Sequence, residues 1–231
     1  KKILILCGGK GTRFREVRKD IPKALVPIND VPFLDLLLND LVNQGCQRII
    51  LGTGYLTEKI ESHIQQRKDA EYLFSVEKLT LGTGGAIRHA LHLFQSDQVL
   101  VLNGDSYIAF SVKSLLHFHI SWEAETTILL SSGTQGTDYG NVELDDSHRI
   151  LSFQEKPQHS EGQLINAGVY CIQHELIRQQ AEGKASIERD WFPKWILSKR
   201  ILGMVLPKPF YDIGTRERFE LATQKIKKRK C

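Results

Sequence analysis

Gly8, Gly9 and Gly11, then Arg13, follow directly on an apolar run in "ILILCGGKGTRF". Glycines let the backbone approach a ligand closely and adopt positive φ. Successive amides bare of side chains form an anion-binding concavity, and the Arg13 guanidinium adds a planar fork of donors that suits phosphate oxygens. The spacing excludes two familiar phosphate loops. A P-loop needs glycine at position 4, which is Leu4, and G-x-G-x-x-G needs glycine at position 14, which is Phe14. The plain alternative is a glycine turn that only punctuates a strand. A second chemical candidate is Asp105, at the end of "VLVLNGD". A carboxylate there can hold Mg²⁺, a cation that takes oxygen ligands and bridges phosphates, or it can simply bond to its own turn. A third is Gly82–Gly85 in "LGTGGAI", either a second bare loop or the opening of a helix.

These groups need elements to position them. Short β-rich runs occur at 3–7, 48–53, 72–76, 99–103, 126–131, 168–172 and 203–206. Phe33, Leu37, Leu38, Leu41 and Val42 form one helical face behind Pro32. Ile60 and Ile64 mark a second helix, and Ile87, Ala90, Leu91 and Phe94 a third that opens after "GTGG". Strand–helix alternation with near-continuous apolar strands predicts an α/β fold with a mainly parallel sheet covered on both faces. Ligands bind beyond the carboxyl ends of such strands, which is where Gly8–Arg13, Gly82–Gly85 and Asn103–Asp105 fall. The stretch from about 106 to 212 is richer in β signals and alternates less regularly. A last helix is expected from about Thr215.

Composition narrows the class. The 231-residue chain is 41% hydrophobic and 25% charged, ordinary for a globular protein. Its net charge of +4 resides in the tail "KIKKRKC", whose five basic residues leave the remainder near −1. A solvated tail is expected rather than a nucleic-acid face. No apolar run is long enough for a membrane span or a signal-peptide core. Cys7, Cys46, Cys171 and Cys231 are scattered, as free thiols in a reducing compartment would be. The expectation is a cytoplasmic protein without membrane or nucleic-acid partners, and a homo-oligomer is compatible with it. His117 and His119, and His89 and His92, lack the companions of a metal site. Trp191 and Trp195 have the spacing of a packed helix face.

The glycine loop continues as "DIPKALVPINDVPFL", joining it to Pro22-Lys23. With "LGTGGAI", "NGD", "YGNVEL", "FQEKP", "INAGVY" and "YDIGT" following in order, the chain resembles the sugar-1-phosphate nucleotidyltransferases over nearly its whole length. Within them the "LGTGGAI" form and the "PFL" helix look most like D-glycero-α-D-manno-heptose 1-phosphate guanylyltransferases. Cys7 departs from the alanine common at its position. The resemblance implies a Rossmann-like three-layer sandwich, the nucleotide-diphospho-sugar transferase fold. It is expected as one domain over 1–231: a nucleotide half at about 1–105, a sugar half at about 106–212, and a C-terminal helix with a basic tail at about 213–231.

It also implies the reaction of an NTP, here GTP, with a sugar 1-phosphate to give an NDP-sugar and pyrophosphate, for cell-surface glycan synthesis. Arg13 then holds the β- and γ-phosphates, with Gly8, Gly9, Gly11 and Thr12 around the nucleotide. Lys23 sits near the α-phosphate, where charge builds in the transition state. Asp105 and Asp212 share Mg²⁺. Gly82, Thr83, Gly84 and Gly85 lie against base and ribose, and Asn103 with Gly104 lets the ribose approach. Lys156 neutralises the sugar phosphate, Glu155 accepts sugar hydroxyls, and Gly140, Asn166 and Glu188 match sugar-pocket positions. Each has a plain alternative: a solvated lysine for Lys23, a helix cap for Asp212, a surface ion pair for Glu155 and Lys156. Rival substrates are mannose 1-phosphate with GTP, then hexose 1-phosphates with UTP or CTP. Rival classes are a non-catalytic sensor of nucleotide sugars and a protein that binds nucleic acid through its tail.

Overall fold

β1 (Lys2–Leu6) buries Ile3, Leu4 and Ile5 completely, as a strand covered on both faces must. The structure is a computed structural model that describes residues 2–9, 20–132, 141–154 and 164–226. Behind Pro22, Lys23 opens a single 3₁₀ turn (Lys23–Leu25), in which the Leu25 N–H donates to the Pro22 carbonyl at 2.9 Å. A two-stranded ribbon of β2 (Pro27–Ile28) and β3 (Val31–Pro32) follows. It turns through Asn29 and Asp30 at φ 48° and 70°, the paired left-handed residues of a tight hairpin. Pro32 then precedes α1 (Phe33–Asn43), where a missing N–H removes no helical bond. Phe33, Leu34, Leu37, Leu38 and Leu41 face inward.

β4 (Arg48–Thr53), α2 (Thr57–Ile64), β5 (Glu71–Val76), α3 (Gly82–Ala90) and β6 (Gln98–Asn103) complete the regular part. The strands run parallel in the order β6-β1-β4-β5. Here α3 corrects the expectation: it starts at Gly82, so the "GTGG" glycines form its first turn. The segment 183–187 presses on that turn. A Cβ at Gly82 (φ +73°) would meet the Ala185 carbonyl at 2.5 Å, and one at Gly85 the Gly183 carbonyl at 2.2 Å. The Gly84 and Gly85 N–H groups, orphans of a helix start, donate to Ala185 O at 2.9 and 3.1 Å.

The remainder consists of β7 (Ser106–Tyr107), α4 (Val112–Ser121), β8 (Thr126–Ser131), β9 (Asn141–Leu144), β10 (Ile150–Gln154), β11 (Leu164–Gln173), α5 (His174–Arg178), α6 (Phe192–Ser198), β12 (Ile201–Leu206), β13 (Tyr211–Asp212) and α7 (Arg216–Lys225). β11 joins the two parts by pairing antiparallel with β6 on one side and with β8 and β9 on the other. Of the nine strands in this sheet, all but β10 and β11 point the same way. The sheet is thus mainly parallel, with an antiparallel seam. One apolar layer gathers Ile3, Ile5, Phe33, Leu115 and Ala222; the other gathers Leu4, Ile87, Leu176, Phe192 and Trp195. Helices therefore cover both faces, in three layers. Trp191 and Trp195 stack within the second layer with ring centroids 5.3 Å apart. His119 is buried in α4 with Nδ1 2.9 Å from Thr127 Oγ1, and burial pushes its pKa down to about 4. Among the described residues no helix is long and apolar enough to cross a membrane.

Candidate active site

A cavity of about 310 Å³ opens beyond the carboxyl ends of β1 and β6 and beside the start of α3. Gly8, Gly9, Lys23, Glu77, Gly82, Thr83, Asn103, Gly104, Asp105 and Gly214 are among its walls. Two glycines are there for closeness. A Cβ at Gly104 would lie 2.6 Å from Leu6 O and 2.9 Å from Cys7 Sγ, and one at Gly8 would lie 2.9 Å from Glu77 Oε1. Both would block the approach of neighbouring backbone and side chains.

Lys23 Nζ donates to Asp105 Oδ2 at 2.6 Å, and Ser106 Oγ donates to Asp105 Oδ1 at 3.2 Å. Burial opposes the Asp105 charge, but the Lys23 ammonium and these bonds outweigh it and hold the carboxyl below its ordinary range. The Asp105 side chain remains 43% exposed, so a ligand can reach it. The neighbouring Cys7 thiol is pushed up to about 12 by burial and by the Asp105 charge. It stays protonated and is no nucleophile.

Asp212 comes from the far end of the chain. β13 pairs antiparallel with β7 so that Asp212 stands opposite Ser106, and the Ile213 N–H donates to Asp105 O at 3.0 Å. Two acidic residues more than a hundred positions apart thus lie on adjacent paired segments. The Asp212 side chain is only 9% exposed. It accepts from Gly214 N at 2.7 Å and from Arg218 Nη1, which is 3.2 Å from each carboxylate oxygen. The cap of α7 is Thr215, whose hydroxyl accepts from Arg218 N, so Asp212 does not serve as that cap. Asn29 ties the ribbon behind Lys23 to the end of α7 by donating to Thr223 O and Ile226 O at 2.9 and 2.8 Å.

The family model for nucleotidyl transferases matches residues 2–229. The chain belongs to the nucleotidyl transferase family. It is 35% identical over 225 residues to D-glycero-alpha-D-manno-heptose 1-phosphate guanylyltransferase from Aneurinibacillus thermoaerophilus, covering 96% of this chain and 97% of that one. It is 33% identical to the protein of the same name from Campylobacter jejuni, over 93% and 95%. The crystal structure of HddC from Yersinia pseudotuberculosis complexed with GMP-PN superposes with a TM-score of 0.88 at 31% identity, over 98% and 99% of the two chains.

In this nucleotidyl transferase the remaining candidate residues divide. Thr83 and Asn103 line the cavity with Gly8, Gly9 and Gly82, whereas Gly84 and Gly85 are buried against 183–187. Asn166 and Glu188 belong to one polar cluster. Asn166 Nδ2 donates to Tyr170 Oη at 2.9 Å, and both Glu188 oxygens accept bonds from protein hydroxyls. Gly11, Thr12, Arg13, Gly140, Glu155, Lys156 and the basic tail from 227 lie outside the described residues.

Glu77 escaped the sequence reading. It stands just past β5, and its Oε2 accepts from Leu81 N at 2.9 Å. Burial raises its pKa above the usual carboxylate range against that bond and the nearby His89. The signal that would have found it is its place at the carboxyl end of a predicted strand, where ligands bind in such sheets.

Proposed function

We propose that the enzyme transfers a guanylyl group from GTP to D-glycero-α-D-manno-heptose 1-phosphate, releasing pyrophosphate. The transfer chemistry rests on the pairing of Lys23 with Asp105 at the cavity wall, with Asp212 on the adjacent strand, and the choice of guanine and heptose on the relatives at 35% and 33% identity and on HddC with GMP-PN. A sugar phosphate oxygen is already a nucleophile. It attacks the α-phosphorus, the new P–O bond forms in line with the breaking bond to the β-phosphate, and pyrophosphate departs with the electron pair. The protein's part is to align two anions and to stabilise charge.

Lys23 stands at the cavity wall with its ammonium held on Asp105, so it is set in place before substrate arrives. Gly8, Gly9 and Gly104 leave room for phosphates and ribose against the backbone. Arg13 and Lys156 complete the cationic set by analogy with the family. Glu77 offers two carboxylate oxygens, acceptors that match the adjacent N1–H and N2–H donors on guanine's edge. Asp105 and Asp212 supply hard oxygen donors that fit Mg²⁺, which takes one or two carboxylates and completes its shell with phosphate oxygens and water. Bound there, Mg²⁺ would neutralise phosphate charge and polarise the α-phosphoryl group. Cys7, Cys46 and Cys171 are free and buried, which suits work in a reducing compartment such as the cytoplasm.

Pyrophosphate release measured for four NTPs against a panel of sugar 1-phosphates tests the reading. The expected result is a preference for GTP with the heptose phosphate. Preference for mannose 1-phosphate would revise the sugar; absence of release with every pair would overturn catalysis.

A further inference from the structure

Tyr170 on β11 has no exposed surface, yet its phenol oxygen is the centre of a polar cluster. It accepts from Asn166 Nδ2 at 2.9 Å and donates to Glu188 Oε1 at 3.3 Å. The other Glu188 oxygen accepts from Thr83 Oγ1 at 2.6 Å and Ser186 Oγ at 2.8 Å. The Thr83 hydroxyl in turn accepts from Ile187 N at 3.0 Å. One end of this chain of bonds, Thr83, lines the cavity. Its other end, Asn166, matches a sugar-pocket position of the family, and Asn103 on the cavity wall lies against Gly168 beside it.

The backbone is bent to allow it. Four residues of an extended strand span about 13 Å, too far for Asn166 to meet the Tyr170 hydroxyl comfortably. β11 is bulged between them: Asn166 stands opposite Leu130, whereas Tyr170 stands opposite Ile128. Gly168 sits in the bulge at φ +70°, and a Cβ there would lie 2.8 Å from Asn103 Nδ2. The phenol uses its donor on a carboxylate and accepts from the Asn166 amide. Burial and the Glu188 charge raise its pKa well above the ordinary value, so the proton stays available as a donor. A buried network satisfied in this way holds one arrangement, because losing any member leaves a buried polar group unpaired.

We propose that Tyr170 is a positioning residue that couples the two substrates: through Glu188 and Thr83 on one side and Asn166 on the other, it sets the nucleotide side and the sugar side together. The proposal rests on the guanylyltransferase reading above. A nucleotide that fixes Thr83 thereby fixes Asn166 for the sugar phosphate, and the reverse holds equally, since coupling between sites is reciprocal.

The test is calorimetric titration of the intact enzyme with a non-transferable GTP analogue and heptose 1-phosphate, each alone and in the presence of the other. The expected coupling is about tenfold and equal in both directions. Tyr170→Phe keeps the ring, which packs on Phe192 at 5.3 Å, and removes only the hydroxyl. Its coupling should fall to within about twofold of none, with the affinity for the GTP analogue alone changed less than about threefold. Thr83→Val cuts the same chain at its cavity end and should lose coupling likewise; if Tyr170→Phe does not fold, Thr83→Val and Glu188→Gln decide the matter. Full coupling in a folded Tyr170→Phe enzyme, or no coupling in the unmutated one, overturns the proposal. The guanylyltransferase reading fails on a different result, no pyrophosphate release with GTP, and the coupling is then measured with whichever pair turns over.

Discussion

Two parts of the proposed site are built by different means. The side proposed to hold the nucleotide stands on the parallel strands β6-β1-β4-β5, where register brings Gly8, Gly104 and Asp105 to neighbouring strand ends. The side proposed for the sugar stands on β11, which runs against its neighbours and is bulged. There Asn166 and Glu188 meet through Tyr170, and Glu188 also reaches Thr83, 105 positions away in sequence. The parallel strands bring their loops together by register and need one side-chain pair, Lys23–Asp105, to set the charges, whereas the bulged strand relies on a relay of side chains. Substitutions on the first side should therefore act on the reacting groups themselves, and those on the second on alignment and fit.

Asp105→Asn is the strongest challenge to this contrast. It removes the charge nearest the proposed reaction and strands Lys23 without its partner. Turnover should fall about a thousandfold or more, the upper range for lost electrostatic stabilisation, with the circular dichroism spectrum unchanged. Near-normal pyrophosphate release in saturating Mg²⁺ would remove Asp105 from the mechanism. Lys23→Ala comes next, with a loss of about a hundredfold in kcat and little change in KM. A change in KM alone would make Lys23 a binding group, and the nucleotide side would then align substrates as the sugar side does.

Gly85→Ala examines the seam between the two sides. Its Cβ would face the Gly183 carbonyl at 2.2 Å, and backbone cannot step aside as a side chain tip can. Overpacking of this kind costs about 1–3 kcal/mol, measurable as a lowered Tm. Unchanged stability would mean that the 183–187 segment yields readily and that the two sides are joined elsewhere.

Legibility in sequence does not follow that division. The strands at 48–53 among the parallel strands and at 126–131 beyond β11 both match expectation residue for residue, because each centres on three consecutive apolar residues, Ile49–Leu51 and Ile128–Leu130. β9 and β10 do not show in the sequence pattern: they are short, β9 lies within "YGNVEL", and β10 runs into "FQEKP" at Phe153 and Gln154. The start of α3 was misplaced because glycines ordinarily break helices, and only the packing of 183–187 on that turn explains glycine inside it. Asp105 could be picked out from the end of its strand, and its pairing with Lys23 could not, since 82 residues separate them. Tyr170 closes the "INAGVY" motif, yet nothing in the sequence gives it a role beyond a tyrosine in an apolar strand; its importance lies in partners that only the fold assembles.

Glu77 is the side chain proposed to read the base, on a wall it shares with Lys23, Thr83, Asn103 and Asp105. Glu77→Gln replaces one acceptor by a donor, which opposes the guanine N1–H. The preference for GTP over ATP in kcat/KM should drop about tenfold, the worth of one hydrogen bond to a charged group, with turnover on saturating GTP nearly kept. The pH dependence carries the sign. Burial raises the Glu77 pKa, so in the free enzyme the carboxylate is protonated at a higher pH than an ordinary glutamate. Guanine needs the ionised form, and GTP affinity should therefore weaken, on acidification, earlier than an exposed carboxylate would allow. Stability moves the other way: a carboxyl whose pKa is higher folded than unfolded favours the fold at low pH, and that contribution fades as pH rises through the folded value. Over this window Glu77 thus contributes to a firmer fold and a weaker grip on GTP, so the two effects separate in one titration followed by melting and by calorimetry. Glu77→Gln should flatten the binding curve. If the curve keeps its slope in that variant, another group faces the base.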